Sequence, residues 1–211
     1  KKTAAKEDIL FNCVDAEAEQ AMKAAVDEVL RTGDTLGGIF EVVAHNVPPG
    51  LGTHANWDER LDGLLSQAVM SLQAVKAVEI GTAIDNAVSH GSRVHDQIDY
   101  SRQEQRFTRP ANHAGGLEGG ISNGEDIVVR GYLKPISTLR RPLRSVHMET
   151  KEPVKAAYER SDVCVVPAAG VGAEAMVALV LARCLLEKFG GDSLDETRRN
   201  FEGYREQIRA F

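Results

Sequence analysis

The residues best placed to do chemistry gather between Asn112 and Thr138. The stretch Asn112 to Gly124 carries five glycines (115, 116, 119, 120 and 124) in thirteen residues, a density that frees backbone N–H groups and admits positive φ angles. Such a loop lets a flat or anionic ligand lie against the main chain. Phosphate loops and dinucleotide fingerprints need a helix N-terminus after their glycines, whereas Ile127 to Leu133 reads as a strand. Neither phosphate motif occurs. Taken alone, the stretch is a glycine-rich turn between two strands. From 125 to 145 five basic residues stand against two acidic ones, within a chain of net charge −6. Lys134, Arg140, Arg141 and Arg144 therefore make this segment the one anions prefer.

Other candidates are weaker. His90, His95 and Asp96 share a polar stretch, but two histidines without a third fixed ligand do not define a metal site, and no metal is expected. His45, inside a β-branched run, reads as a sheet residue. A net charge of −6 over 211 residues opposes nucleic-acid binding, which favours basic domains. Cys13, Cys164 and Cys184 lack metal or redox spacing and read as reduced thiols in a cytoplasmic protein. The longest apolar run, Ala175 to Ala182, is short of the roughly 20 residues of a membrane span, so no membrane partner is expected. The chain opens on Lys1 without a secretory signal, and its first residues look like a cut.

The elements that must position these residues follow from periodicity. Asp15 caps a helix over 15–30 that Gly33 ends. Residues 35–47 read as a strand stopped by Pro48-Pro49-Gly50. Asn56 and Glu59, in capping-box spacing, open a helix from Trp57 to about Val78, apolar over more than half its circumference. That helix puts Gln73 and Lys76 where a polar group needs a partner: neighbouring backbone or a bound ligand. Residues 81–111 read as a long irregular connection, mobile or functional. Val163 to Phe189 is apolar nearly all round and belongs at a domain centre. Gly190-Gly191 ends it, and Ser193 with Glu196 caps a last solvated helix to Ala210, within a C-terminal segment 192–211. Without strand-helix alternation the class is α+β with buried central helices.

Four blocks then resemble chorismate synthase: Arg60 to Gly81, with Ser71-Leu72-Gln73-Ala74-Val75-Lys76 at its centre; Asn112 to Gly124; Lys134-Pro135-Ile136-Ser137-Thr138; and Arg160-Ser161-Asp162-Val163 through Met176. They keep the family's own order and span essentially the whole chain. The similarity is to the family's C-terminal part, over 1–211.

The resemblance implies a helical core sandwiched between antiparallel β-sheets, assembled as a homotetramer. It implies a lyase of the shikimate pathway that binds reduced FMN and 5-enolpyruvylshikimate 3-phosphate and eliminates phosphate 1,4-anti to give chorismate. Some members reduce their own flavin with NADPH. Carried over by motif, the flavin contacts fall on Gln73, Ala74, Gly119, Lys134, Pro135, Ile136, Ser137, Thr138 and Arg160. Asp162 matches a carboxylate close to the flavin, suited to proton transfer at its ring. His113 does not match the family's catalytic histidines and takes a supporting role. Ala77 stands where the family usually has Gly, and Ile136 where many members have Thr. The Gly-Glu-Ser-His-Gly and Arg-Ser-Ser-Ala-Arg blocks of the family's other half are missing. The alternative is therefore an inactive fragment that folds, oligomerises or binds flavin weakly.

Overall fold

The computed structural model describes residues 11–211; the chain start at Lys1, read above as a cut, lies outside them. In chain order the elements are α1 (Ala16–Thr32), β1 (Gly38–Ala44), α2 (Leu61–Met70), β2 (Val75–Ile80), α3 (Ala83–Ala87), α4 (Gly91–Val94), β3 (Asp99–Ser101), β4 (Arg106–Thr108), β5 (Leu117–Glu118), β6 (Ile121–Ser122), β7 (Ile127–Leu133), β8 (Arg144–Val146), β9 (Pro153–Lys155), α5 (Val166–Phe189) and α6 (Leu194–Arg209). The class is α+β. The described residues form two compact units: those up to Phe40 with Tyr132–Val171, and Glu41–Gly131 with Gly172–Phe211.

Helix α1 forms as its sequence dictates. The Asp15 carboxylate accepts from the Glu17 and Ala18 amides, and Gly33, at φ 77°, ends the helix by donating to Val29 O. Only αL geometry closes that turn, and glycine adopts it without a Cβ penalty. In the first unit, Leu36 pairs in parallel with Cys164, and the exposed hairpin β8–β9 pairs Ser145 with Val154.

A three-stranded sheet runs β1-β7-β2. Ile127, Val129, Gly131 and Leu133 of the central strand β7 are all buried, with half-buried residues between them, as the period of two requires. Helix α2 packs on β2 through Leu61, Leu65, Ala68 and Val69, positions that share one helical face. Helices α5 and α6 meet through Phe189, whose ring lies 5.2 Å from Phe201 and 5.3 Å from Tyr204. Ser193 caps α6 by accepting from the Glu196 amide.

Three expectations are corrected. The helix predicted from Trp57 to about Val78 is only Leu61–Met70; Ser71 Oγ bonds Ala68 O, and the chain turns through Ala74 at φ 68°. Val75 and Glu79 then face inward on a strand, because Val75, Val78 and Ile80 suit a pleated surface as well as a helix. Gln73 and Lys76 are consequently exposed, not buried on a helix. Residues 81–111, read as irregular, contain α3, α4 and the β3–β4 hairpin, where Tyr100 and Phe107 meet edge to face at 5.3 Å. Helix α5 exposes Val171, Leu179 and Leu186 at 58%, 66% and 55%. An all-round apolar pattern reports a demand for burial, and the described residues meet it on one side only. At 24 residues, α5 is also long and apolar enough to cross a membrane by length and composition, although the uninterrupted apolar run within it is short.

Candidate functional site

The glycine-rich stretch folds as a set of close backbone contacts with one open point. Asn112 anchors it, donating from Nδ2 to Asp126 O at 2.8 Å and accepting the Gly116 amide at 2.7 Å. Asp96 accepts the His113 and Ala114 amides, one on each carboxylate oxygen, both at 2.9 Å. A Cβ on Gly115 would lie 2.3 Å from Gly81 N, one on Gly116 2.5 Å from Asp126 O, and one on Gly120 2.8 Å from Thr53 O. These glycines are required by backbone packing.

Gly119 differs. A Cβ there would meet nothing within 4 Å, and the residue is exposed. Gly119 and Gly120, at φ 62° and 88°, form the two-residue connection between β5 and β6. Positive φ at both central residues is what a type I′ hairpin demands. The turn explains the two residues' geometry, and the open space leaves the Gly119 backbone available to a ligand.

Ser122 looks inward. Its Oγ donates to Pro48 O at 2.6 Å and accepts the Leu51 amide at 2.9 Å, and the residue is 1% exposed. The loop hydroxyl thus belongs to the scaffold. His113 Nδ1 lies 3.1 Å from Thr82 Oγ1, which donates to Asn86 Oδ1, in keeping with a supporting role.

Beside the loop, the Arg130 guanidinium bonds Gly81 O and Glu41 at 2.7 Å each and sits 3.5 Å from Glu79. Burial lowers the Arg130 pKa, but the Glu41 and Glu79 carboxylates outweigh it, and the net direction is upward. Glu79, 5% exposed, also accepts the Ile84 amide. This network holds Gly81 against the loop. Its signal in the sequence was Glu79 at an inward strand position, hidden by the helical reading of that segment.

Gln73 and Ala74 also lie in this unit, in the turn that leaves α2. The other end of α2 is at the Gly119 hairpin, where the Leu61 amide donates to Gly120 O at 2.8 Å. Ten helical residues span about 15 Å, so Gln73 and Gly119 do not touch one common point.

In the first unit, Thr35 Oγ1 donates to Ile136 O at 2.7 Å, while the Leu36 amide donates to Val163 O at 2.8 Å. The segments 134–138 and 160–163 thus both bond to Thr35-Leu36. Ser161 Oγ also reaches Thr138 O at 3.4 Å. Residues more than twenty positions apart are so brought into one loop cluster. A Cβ on Gly37 would lie 2.2 Å from Leu133 O, so this approach depends on glycine. Lys134, Pro135, Ser137, Arg160 and Asp162 are exposed, and Ile136 and Thr138 half-buried. Among the described residues no hydrogen bond or ion pair involves the side chain of Gln73, Lys134, Arg160 or Asp162.

Comparison with known proteins bears on this arrangement. The family model described as chorismate synthase matches residues 1–186. A chorismate synthase of Koribacter versatilis is 67% identical over 212 residues, covering 99% of this chain and 54% of that protein. One of Geobacter sulfurreducens is 60% identical over 203 residues, covering 93% and 52%. A solved chorismate synthase crystal structure superposes with a TM-score of 0.77 at 45% identity, covering 92% of this chain and 50% of that one. The chain spans about half the length of the curated relatives it matches.

Proposed function

Because the chain belongs to the chorismate synthase family, we propose that it is the C-terminal part of a working lyase and supplies half of its flavin site. The reaction is the 1,4-anti elimination of phosphate from 5-enolpyruvylshikimate 3-phosphate to chorismate, with reduced FMN. The observation that carries this reading is the loop cluster at Thr35-Leu36. It brings Lys134–Thr138 and Arg160–Asp162 together, with two cations that have no partner among the described residues.

The residues fit the cofactor. Unpaired Lys134 and Arg160 suit the phosphate of a flavin nucleotide or the charge of its reduced ring, since charge-assisted contacts are the strong ones. Gly119 offers open backbone. Within the second unit, Gln73 and Ala74 in the turn after α2 and Gly119 in the β5–β6 hairpin are the positions that the family resemblance assigns to flavin contacts. When bound, the reduced flavin would supply an electron-rich ring. Asp162 is an exposed carboxylate suited to hold a proton at that ring. Pro135, Ile136, Ser137 and Thr138 continue the segment from Lys134 into the cluster, where Ile136 O and Thr138 O accept from Thr35 and Ser161.

The same reading makes the enzyme a cytoplasmic homotetramer, with NADPH as the flavin reductant in members that reduce their own. It also assigns α5 a protein-facing role; Glu174 and Arg183 within the helix oppose a lipid environment. A second reading, favoured by the half-length match, is a module that folds and binds FMN without turnover.

Titration of FMN against the chain, followed by flavin fluorescence, tests the site. Lys134→Ala should weaken binding about tenfold, the loss of roughly one charge-assisted contact. Unchanged affinity counts against the site, and turnover by the chain itself would exclude the second reading.

A further inference from the structure

The turn that presents Gly119 is held by an arginine to which neither the sequence reading nor the family comparison gives a role. Arg109 lies three positions before Asn112, where the glycine stretch begins, and is buried to about nine-tenths, its side chain retaining 10% exposure. One terminal nitrogen meets the Glu118 carboxylate, on the residue next to Gly119, at 2.5 Å. The other donates to Asn123 O, beyond the second strand of the hairpin, at 3.4 Å. The main-chain amide of Arg109 donates to Glu125 at 3.0 Å. Its Nε is buried without a hydrogen-bond partner among the described residues, so the guanidinium's contacts to the hairpin run through its two terminal nitrogens.

The surrounding charges bear on the role of this arginine. Glu118 also accepts from Asn123 Nδ2 at 2.8 Å. Glu125 lies 3.8 Å from Arg106, which also pairs with Glu104. Arg109 thus touches two carboxylates at the hairpin, Glu118 through its guanidinium and Glu125 through its amide. Without Arg109 the Glu118 carboxylate, adjoining Gly119, loses its guanidinium partner.

We propose that Arg109 is a positioning residue for ligand binding at Gly119: it fixes the β5–β6 turn and cancels the Glu118 charge, so that an anionic flavin nucleotide can approach the open backbone. This inference rests on the flavin reading above.

The test is FMN titration, at low and high salt, of the wild-type chain, Arg109→Gln, Glu118→Gln, the double variant and Lys134→Ala. Arg109→Gln should weaken binding about tenfold at low salt, and less at high salt, because ions screen the exposed Glu118 charge. The double variant should recover to within about threefold of wild type, since the repelling carboxylate is gone. A purely structural role for Arg109 predicts no such rescue, and a double variant as weak as Arg109→Gln overturns the proposal. If Arg109→Gln does not fold, Glu118→Gln alone decides: tighter binding supports charge cancellation, and equal or weaker binding overturns it. Weakening by Lys134→Ala with full affinity in Arg109→Gln would remove this inference and leave the flavin site standing. Failure of the wild-type chain to bind FMN would remove both.

Discussion

Replacing Ser122 by alanine separates a scaffold hydroxyl from a ligand-binding one. Its Oγ serves two partners, Pro48 O and the Leu51 amide, and both lose their only hydrogen bond from this side chain. A buried polar group left unpaired costs about 1–3 kcal/mol. Leu51 is 1% exposed, so its amide stands to lose the full amount. Pro48 is half-buried, and water can rehydrate its carbonyl, which lowers that share. Ser122→Ala should therefore destabilise the chain by about 2–3 kcal/mol. In urea that moves the midpoint down by about 1 M at an unchanged slope. Ser137→Ala, at an exposed position of the loop cluster, is the control and should stay within about 0.5 kcal/mol. Equal stability of the two variants, or a loss under about 0.5 kcal/mol for Ser122→Ala, would refute the inward role assigned to the loop hydroxyl.

Further outcomes follow from the same structure. Gly81→Ala adds a Cβ 2.2 Å from His113 O at φ 62° and should cost about 3 kcal/mol or more from strain and clash together; Gly119→Ala meets no atom, should cost only the roughly 1–2 kcal/mol of left-handed strain, and should remain folded, as thermal melts of both would record. The side-chain hydrogen bond from Arg60 holds the Asp62 carboxyl below its usual range. A depressed folded pKa gives stability that is present above the unfolded value of about 3.9 and is lost as pH falls through the folded one. Asp62→Asn should thus flatten the acid limb of a stability-pH curve, and an unaltered limb would refute the coupling. Burial, with Glu187 second, pushes the Cys184 thiol up, so a thiol reagent at pH 8 should label Cys164 in the native chain and reach Cys184 only in denaturant.

Sequence alone determined what depends on neighbours along the chain. The caps Asp15, Gly33 and Ser193 stand where the helix ends were expected, because capping is decided within a few residues. The strand after the glycines, which excluded phosphate-loop chemistry, is β7, and the four motif blocks led to a family that the comparisons support. Tertiary structure decided the rest. Only it ended α2 at Met70 and made Val75 the start of a strand, since branched apolar residues at that spacing satisfy either period until a sheet is present to pair with. Only it separated Gly115, Gly116 and Gly120, needed for backbone contact, from Gly119 with its open space, and turned Arg109 and Glu79 from anonymous charges into supports. Those distinctions rest on contacts between residues far apart in the chain, and periodicity carries no record of what meets across space.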